Sequence, residues 1–92
     1  MINKSMTDDL ENKRKRLIFR AGHRGTKEMD LLLGGFALEH VPKFDAAELE
    51  VFEGLLTEND PDLYNWISRV EEAPANIAAQ PVFQKLMAYK FA

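Results

Sequence analysis

Within eight residues, His23, Arg24, Gly25, Glu28 and Asp30 bring together a planar cation, a backbone without a side chain and two carboxylates. An arginine fork suits carboxylates, phosphates or backbone carbonyls. Gly25 lets another backbone come close, and Glu28, one turn after Arg24, can pair with it or accept hydrogen bonds. The chemistry on offer is recognition and positioning. Acid–base work would need a carboxyl with a raised pKa, and no feature of the spacing supplies the burial that raises it. A glycine between two helical patterns also serves as plain punctuation, although that role does not call for the charges around it.

Other chemistries find little support. Two histidines, His23 and His40, no cysteine and no zinc-protease or EF-hand spacing argue against a metal centre and exclude thiol catalysis. His40 ends an apolar stripe as a packed or capping residue, and His23 can close the first helix. Ser5 and Ser68 are the only serines, with no nucleophile elbow. Gly34-Gly35 sits inside a helical pattern rather than in a phosphate-cradling loop after a strand. The carboxylates from Glu48 to Glu72 fall at caps and outward helix positions, where a solvated acidic face accounts for them.

With 92 residues, 46% hydrophobic and 29% charged, the chain suits one soluble domain with one core. No apolar stretch approaches the roughly 20 residues that span a bilayer, and the first seven residues lack a secretory h-region, so a cytoplasmic location is expected. The net charge of -3 hides a division. Residues 1–27 carry eight Lys/Arg against three Asp/Glu, whereas residues 28–92 carry four against twelve. Such polarity steers docking onto a protein or a basic helix onto nucleic acid. The aromatic residues Phe36, Phe52, Trp66 and Phe83 fall at core positions, which leaves no stacking platform and favours protein binding.

The elements that must position these residues read as helices throughout. After a flexible stretch 1–7, a single helical domain spans 8–92. Asp8 and Glu11 form a capping-box pattern for a first helix over 8–22, whose polar face includes Lys13, Arg14, Lys15, Arg16 and Arg20. Thr26 caps a second helix to about Val41, with Met29, Leu32, Leu33, Phe36, Ala37 and His40 on one stripe. Gly34 and Gly35 each cost about 1 kcal/mol inside a helix, so close approach of another helix, or of a partner, must compensate. Asp45 and Glu48 cap a third helix to about Thr57. Asp60-Pro61 opens a fourth, with Leu63, Trp66, Ile67 and Val70 inward, which stops before Pro74. A loose connector, Ala73 to Gln80, leads to a fifth helix opened by Pro81, with Val82, Phe83, Leu86, Met87 and Phe91 as its apolar face. The expected architecture is all-α, a small five-helix bundle.

Arg24-Gly25-x-x-Glu28, with Asp30 beyond it, resembles the RGxxE signature of the succinate dehydrogenase assembly factors, the SdhE-like flavinylation factors. The likeness continues through the second helix, Phe52-Glu53-x-Leu55-Leu56 and Asp60-Pro61-Asp62-Leu63-Tyr64-Asn65-Trp66, and covers about residues 12–90. His23 departs from a frequent arginine and Thr26 from a frequent methionine. The early acidic residues look bacterial rather than mitochondrial. The resemblance implies a non-enzymatic factor that binds the flavoprotein subunit of succinate dehydrogenase, or the similar fumarate reductase, and promotes covalent attachment of FAD to a histidine there. Arg24, Gly25 and Glu28, with His23 and Asp30, would face the partner, and Arg16 and Arg20 would support docking. FAD would stay with the partner, leaving this chain no stable cofactor and no metal. It would act as a monomer, with no membrane insertion and no nucleic acid. The alternative is a helical nucleic-acid-binding regulator that uses the basic first helix.

Overall fold

The computed structural model describes the backbone of residues 4–91 and the side chains of residues 9–89. Helix α1 spans Lys4–Ala21, α2 Lys27–His40, α3 Ala46–Leu55, α4 Asp60–Ile67, α5 Ala75–Ala78 and α6 Pro81–Phe91, with a 3-10 turn at Val41–Lys43. Among the described residues there is no strand. The five longer helices are those expected, and α5 is one extra turn inside the supposedly loose connector, anchored by buried Ile77.

Starts and stops show which local rules won. Helix α1 begins at Lys4, so Asp8 lies within its body and does not cap it; Glu11 instead pairs with Arg14 at 3.3 Å. Of the expected flexible stretch 1–7, residues 1–3 lie outside the described residues and 4–7 are helical. Thr26 caps α2, its hydroxyl oxygen accepting from the Met29 N–H at 3.4 Å. Asp45 and Glu48 close a reciprocal capping box on α3, at 2.9 and 3.0 Å. The cap of α4 is Asn59, one residue before the expected Asp60, because its side-chain oxygen accepts from the Asp62 N–H at 2.9 Å. That offset releases the Asp60 carboxylate for another partner. Helix α4 stops at Ile67, followed by Arg69 at φ +66°, and Val70 is 71% exposed rather than inward. The Phe91 side chain, expected on the apolar face of α6, lies outside the described residues.

The core gathers inward residues from every helix, with Phe36, Phe44 and Phe52 fully buried at its centre. Ring centroids of Phe36 and Phe52 lie 5.7 Å apart, and those of Phe44 and Phe52 6.2 Å apart, distances at which aromatic pairs attract beyond their area burial. Trp66 and His40 are packed as expected, His40 stacked on Phe36 at 4.6 Å. The two helical glycines are explained from within. A Cβ on Gly34 would lie 3.0 Å from the Gly22 Cα, where α1 and α2 meet, and one on Gly35 would lie 2.5 Å from the Tyr89 hydroxyl.

Candidate functional site

The corner between α1 and α2 is built by residues on both sides of it. His23 closes α1: its Nδ1–H donates to the Phe19 carbonyl at 2.7 Å and its ring stacks on Phe19 at 3.9 Å. From the first turn of α2, Asp30 reaches back, its Oδ1 accepting from the Arg24 N–H at 2.5 Å and the Gly25 N–H at 3.2 Å. Two backbone donors that would otherwise lack a helical partner are thereby satisfied by an anion at a helix N-terminus, where the dipole favours negative charge. The chain passes between these anchors with Gly25 at φ +116°, a conformation that L side chains rarely adopt. Around a Cβ placed on Gly25 there is open space.

Arg24 faces the other way. Its Nε donates to Asp60 Oδ1 at 2.6 Å, its Nη1 to the Leu56 carbonyl at 2.7 Å and its Nη2 to the Glu58 carbonyl at 2.5 Å. The side chain is 11% exposed, and that of Asp60 21%. Leu56 is the C-cap of α3 and Asp60 the first residue of α4. The guanidinium therefore sits against the negative end of one helix, which favours a cation, and pairs with the Asp60 carboxylate at the start of the next. One side chain ties the α1–α2 corner to the α3–α4 turn. The pairing of Arg24 with Glu28 that the sequence allowed does not form.

The Glu28 side chain is exposed and has no hydrogen bond or ion pair among the described residues. It edges a groove shared with Leu31, Leu32, Tyr64 and Tyr89. A second, open cleft of about 710 Å³ is lined by Phe19, Arg20, His23, Arg24 and Thr26, together with residues of the α3–α4 turn and Pro61. The structure thus brings all five candidate residues to one corner and sorts them by role. Gly25 and Glu28 are its outward surface, His23 is exposed while bonded to α1, and Arg24 and Asp30 hold it from within.

The basic stripe of α1 is divided as well. Lys13 and Arg20 both pair with Glu53 of α3, at 3.2 and 3.7 Å, and Arg14 donates to the Phe44 carbonyl at 2.8 Å. Arg16 is exposed without a partner among the described residues, so it and Arg20 differ in what they have free to offer. No group of residues suited to a metal ion occurs among the described residues, and none of the described helices is long and apolar enough to cross a membrane.

Residues important to this site escaped the sequence reading. Asp60 read as a cap, because its role depends on Arg24, 36 positions away. Phe19, Leu31 and Leu38 are 62%, 67% and 67% exposed and belong to no inward stripe. The available signal was that Leu31 and Leu38, seven apart, fall off the Met29-Leu33-Phe36 stripe.

The family described as the flavinator of succinate dehydrogenase matches residues 15–90, the whole site included. A mitochondrial succinate dehydrogenase assembly factor 2 of Cryptococcus neoformans is 37% identical over 79 residues, which is 86% of this chain and 45% of that protein. The Saccharomyces cerevisiae protein of the same name is 42% identical over 66 residues, 72% of this chain and 41% of its own length. An FAD assembly factor SdhE of Acetobacter pasteurianus is 45% identical over 60 residues, 65% of this chain and 55% of its own. The chain spans about half the length of these curated relatives. With that match running from α1 through α6, the chain belongs to the succinate dehydrogenase flavinator family.

Proposed function

We propose that this protein is an assembly factor that binds the flavoprotein subunit of succinate dehydrogenase and promotes covalent attachment of FAD to it. The fumarate reductase flavoprotein is a second substrate of the same kind. The observation that carries the reading is the exposed Gly25–Glu28 surface, whose Glu28 side chain has no partner among the described residues and which is braced from behind by Arg24 and Asp30, inside the segment matched by the flavinator family. A surface braced in the free protein loses little conformational freedom on docking, which favours affinity. The contribution to the reaction is positioning: the factor holds the partner where its histidine and flavin are aligned, and the covalent bond forms within the partner. The factor acts as a monomer in the cytoplasm, is not itself an enzyme and keeps no FAD of its own.

The test mixes purified protein with its organism's apo flavoprotein subunit and FAD, then measures flavin fluorescence retained after denaturation. Retained flavin should rise with added protein. An intact complex with no rise would contradict the flavinylation role, and absence of a complex would contradict the partner.

A further inference from the structure

The face where α1 crosses α2 is apolar, open and rimmed by cations that have no partner among the described residues. Gly22 and Gly34 bring the two backbones close there, and Ile18, Phe19 and Leu38 stand around them. Phe19 and Leu38 remain 62% and 67% exposed, and Leu31, seven residues before Leu38 on α2, is equally open. Clustered exposure of large apolar side chains on a small soluble domain marks an interaction surface more often than isolated exposure does. The face is continuous with the proposed docking corner, for Phe19 carries the stacked His23 ring and Leu31 shares a groove with Glu28.

Charge indicates what covers it. Lys13, Arg14 and Arg20 spend their charges or hydrogen bonds on Glu53, Glu11 and the Phe44 carbonyl. Lys15, Arg16 and Lys27 are exposed and have no partner among the described residues. Lys15 lines the apolar groove, Arg16 lies one turn before Phe19, and Lys27 one turn before Leu31 on α2. Three exposed apolar side chains fall well short of the roughly 20–30 residues per side of a stable interface, so the face works as an extension of the Gly25–Glu28 surface rather than as an independent dimer contact.

We infer that this face receives an apolar segment of the flavoprotein subunit flanked by carboxylates, a second contact with the partner that the proposed function assigns, on which reading the inference rests. The apolar side chains supply the desolvated centre and the free cations supply orientation and encounter rate.

The test titrates purified apo flavoprotein subunit into the protein, into Leu38→Glu and into the double variant Lys15→Glu/Arg16→Glu, at low and high salt, with light scattering for oligomeric state and circular dichroism for fold. Leu38→Glu should keep its helicity and monomer mass and bind about tenfold or more weakly. The double variant should lose most of the salt dependence of the association rate. Unchanged affinity for Leu38→Glu, with the unsubstituted protein binding, would overturn this face while leaving the proposed function standing. So would a wild-type dimer that Leu38→Glu dissolves without weakening the complex. No binding by the unsubstituted protein would overturn both.

Discussion

Arg24 shows how a residue type can be right for a site while its partner is wrong. Its fork was legible as a carboxylate and carbonyl binder, and it binds both, but in the α3–α4 turn and at the start of α4 of its own chain. Sequence spacing sees neighbours one turn away, such as Glu28, and is blind to a carboxylate brought in by packing. Removing one member of a largely buried, hydrogen-bonded pair strands the other, so Arg24→Ala should cost about 2–4 kcal/mol in urea unfolding. Arg24→Lys should recover only part of this, since an ammonium cannot reproduce the planar three-way fork. Equal stability of wild type and Arg24→Ala would contradict the brace. Gly25 makes a separate prediction. Its φ, not its surroundings, resists a side chain, so Gly25→Ala and Gly25→Arg should lose similar stability, about 1–3 kcal/mol each, while only the arginine obstructs docking. A much larger loss for the arginine would mean that position 25 is crowded.

At the scale of elements, capping residues and apolar stripes made α2, α3 and α6 readable almost to the residue, because Thr26, Asp45 and Pro81 act on their own immediate backbone. Helix α1 outran its apparent cap at Asp8, since a capping pattern inside a good helical sequence does not by itself interrupt it. Helix α4 began one residue early because Asn59 caps as well as Asp60 would, and the spare carboxylate is used by Arg24. What no local pattern reveals is which helix a glycine serves. Gly34→Ala would press a methyl onto the Gly22 backbone and should destabilise by about 1 kcal/mol or more despite the better helix propensity. Gly35→Ala meets only the end of the Tyr89 side chain, which can move, so its cost should be smaller. Thermal melts of the pair check the order, and a reversed order would contradict the assigned α1–α2 contact.

Over the whole molecule, the charge division between residues 1–27 and 28–92 is partly consumed in folding. Basic residues of α1 pair with Glu53 of α3, and Arg24 pairs with Asp60 of α4. Counting charges along the chain predicts a two-faced electrostatic surface, whereas only the cations left over after these pairings can steer a partner. The aromatic residues assigned to the core, Phe36, Phe52, Trp66 and Phe83, are buried as the periodicity implied, while Phe19 and Leu38 stayed outside because they flank the stripes that close the core. In the proposed function, the corner's outward surface, not its internal brace, acts on the flavoprotein. Glu28 separates the two most cleanly, being exposed and unpartnered among the described residues. The decisive measurement is covalently retained flavin with Glu28→Ala, alongside its melting temperature. Stability should stay within about 0.5 kcal/mol of wild type while flavinylation is clearly lost; normal flavinylation by this variant would rule out a role for the outward surface.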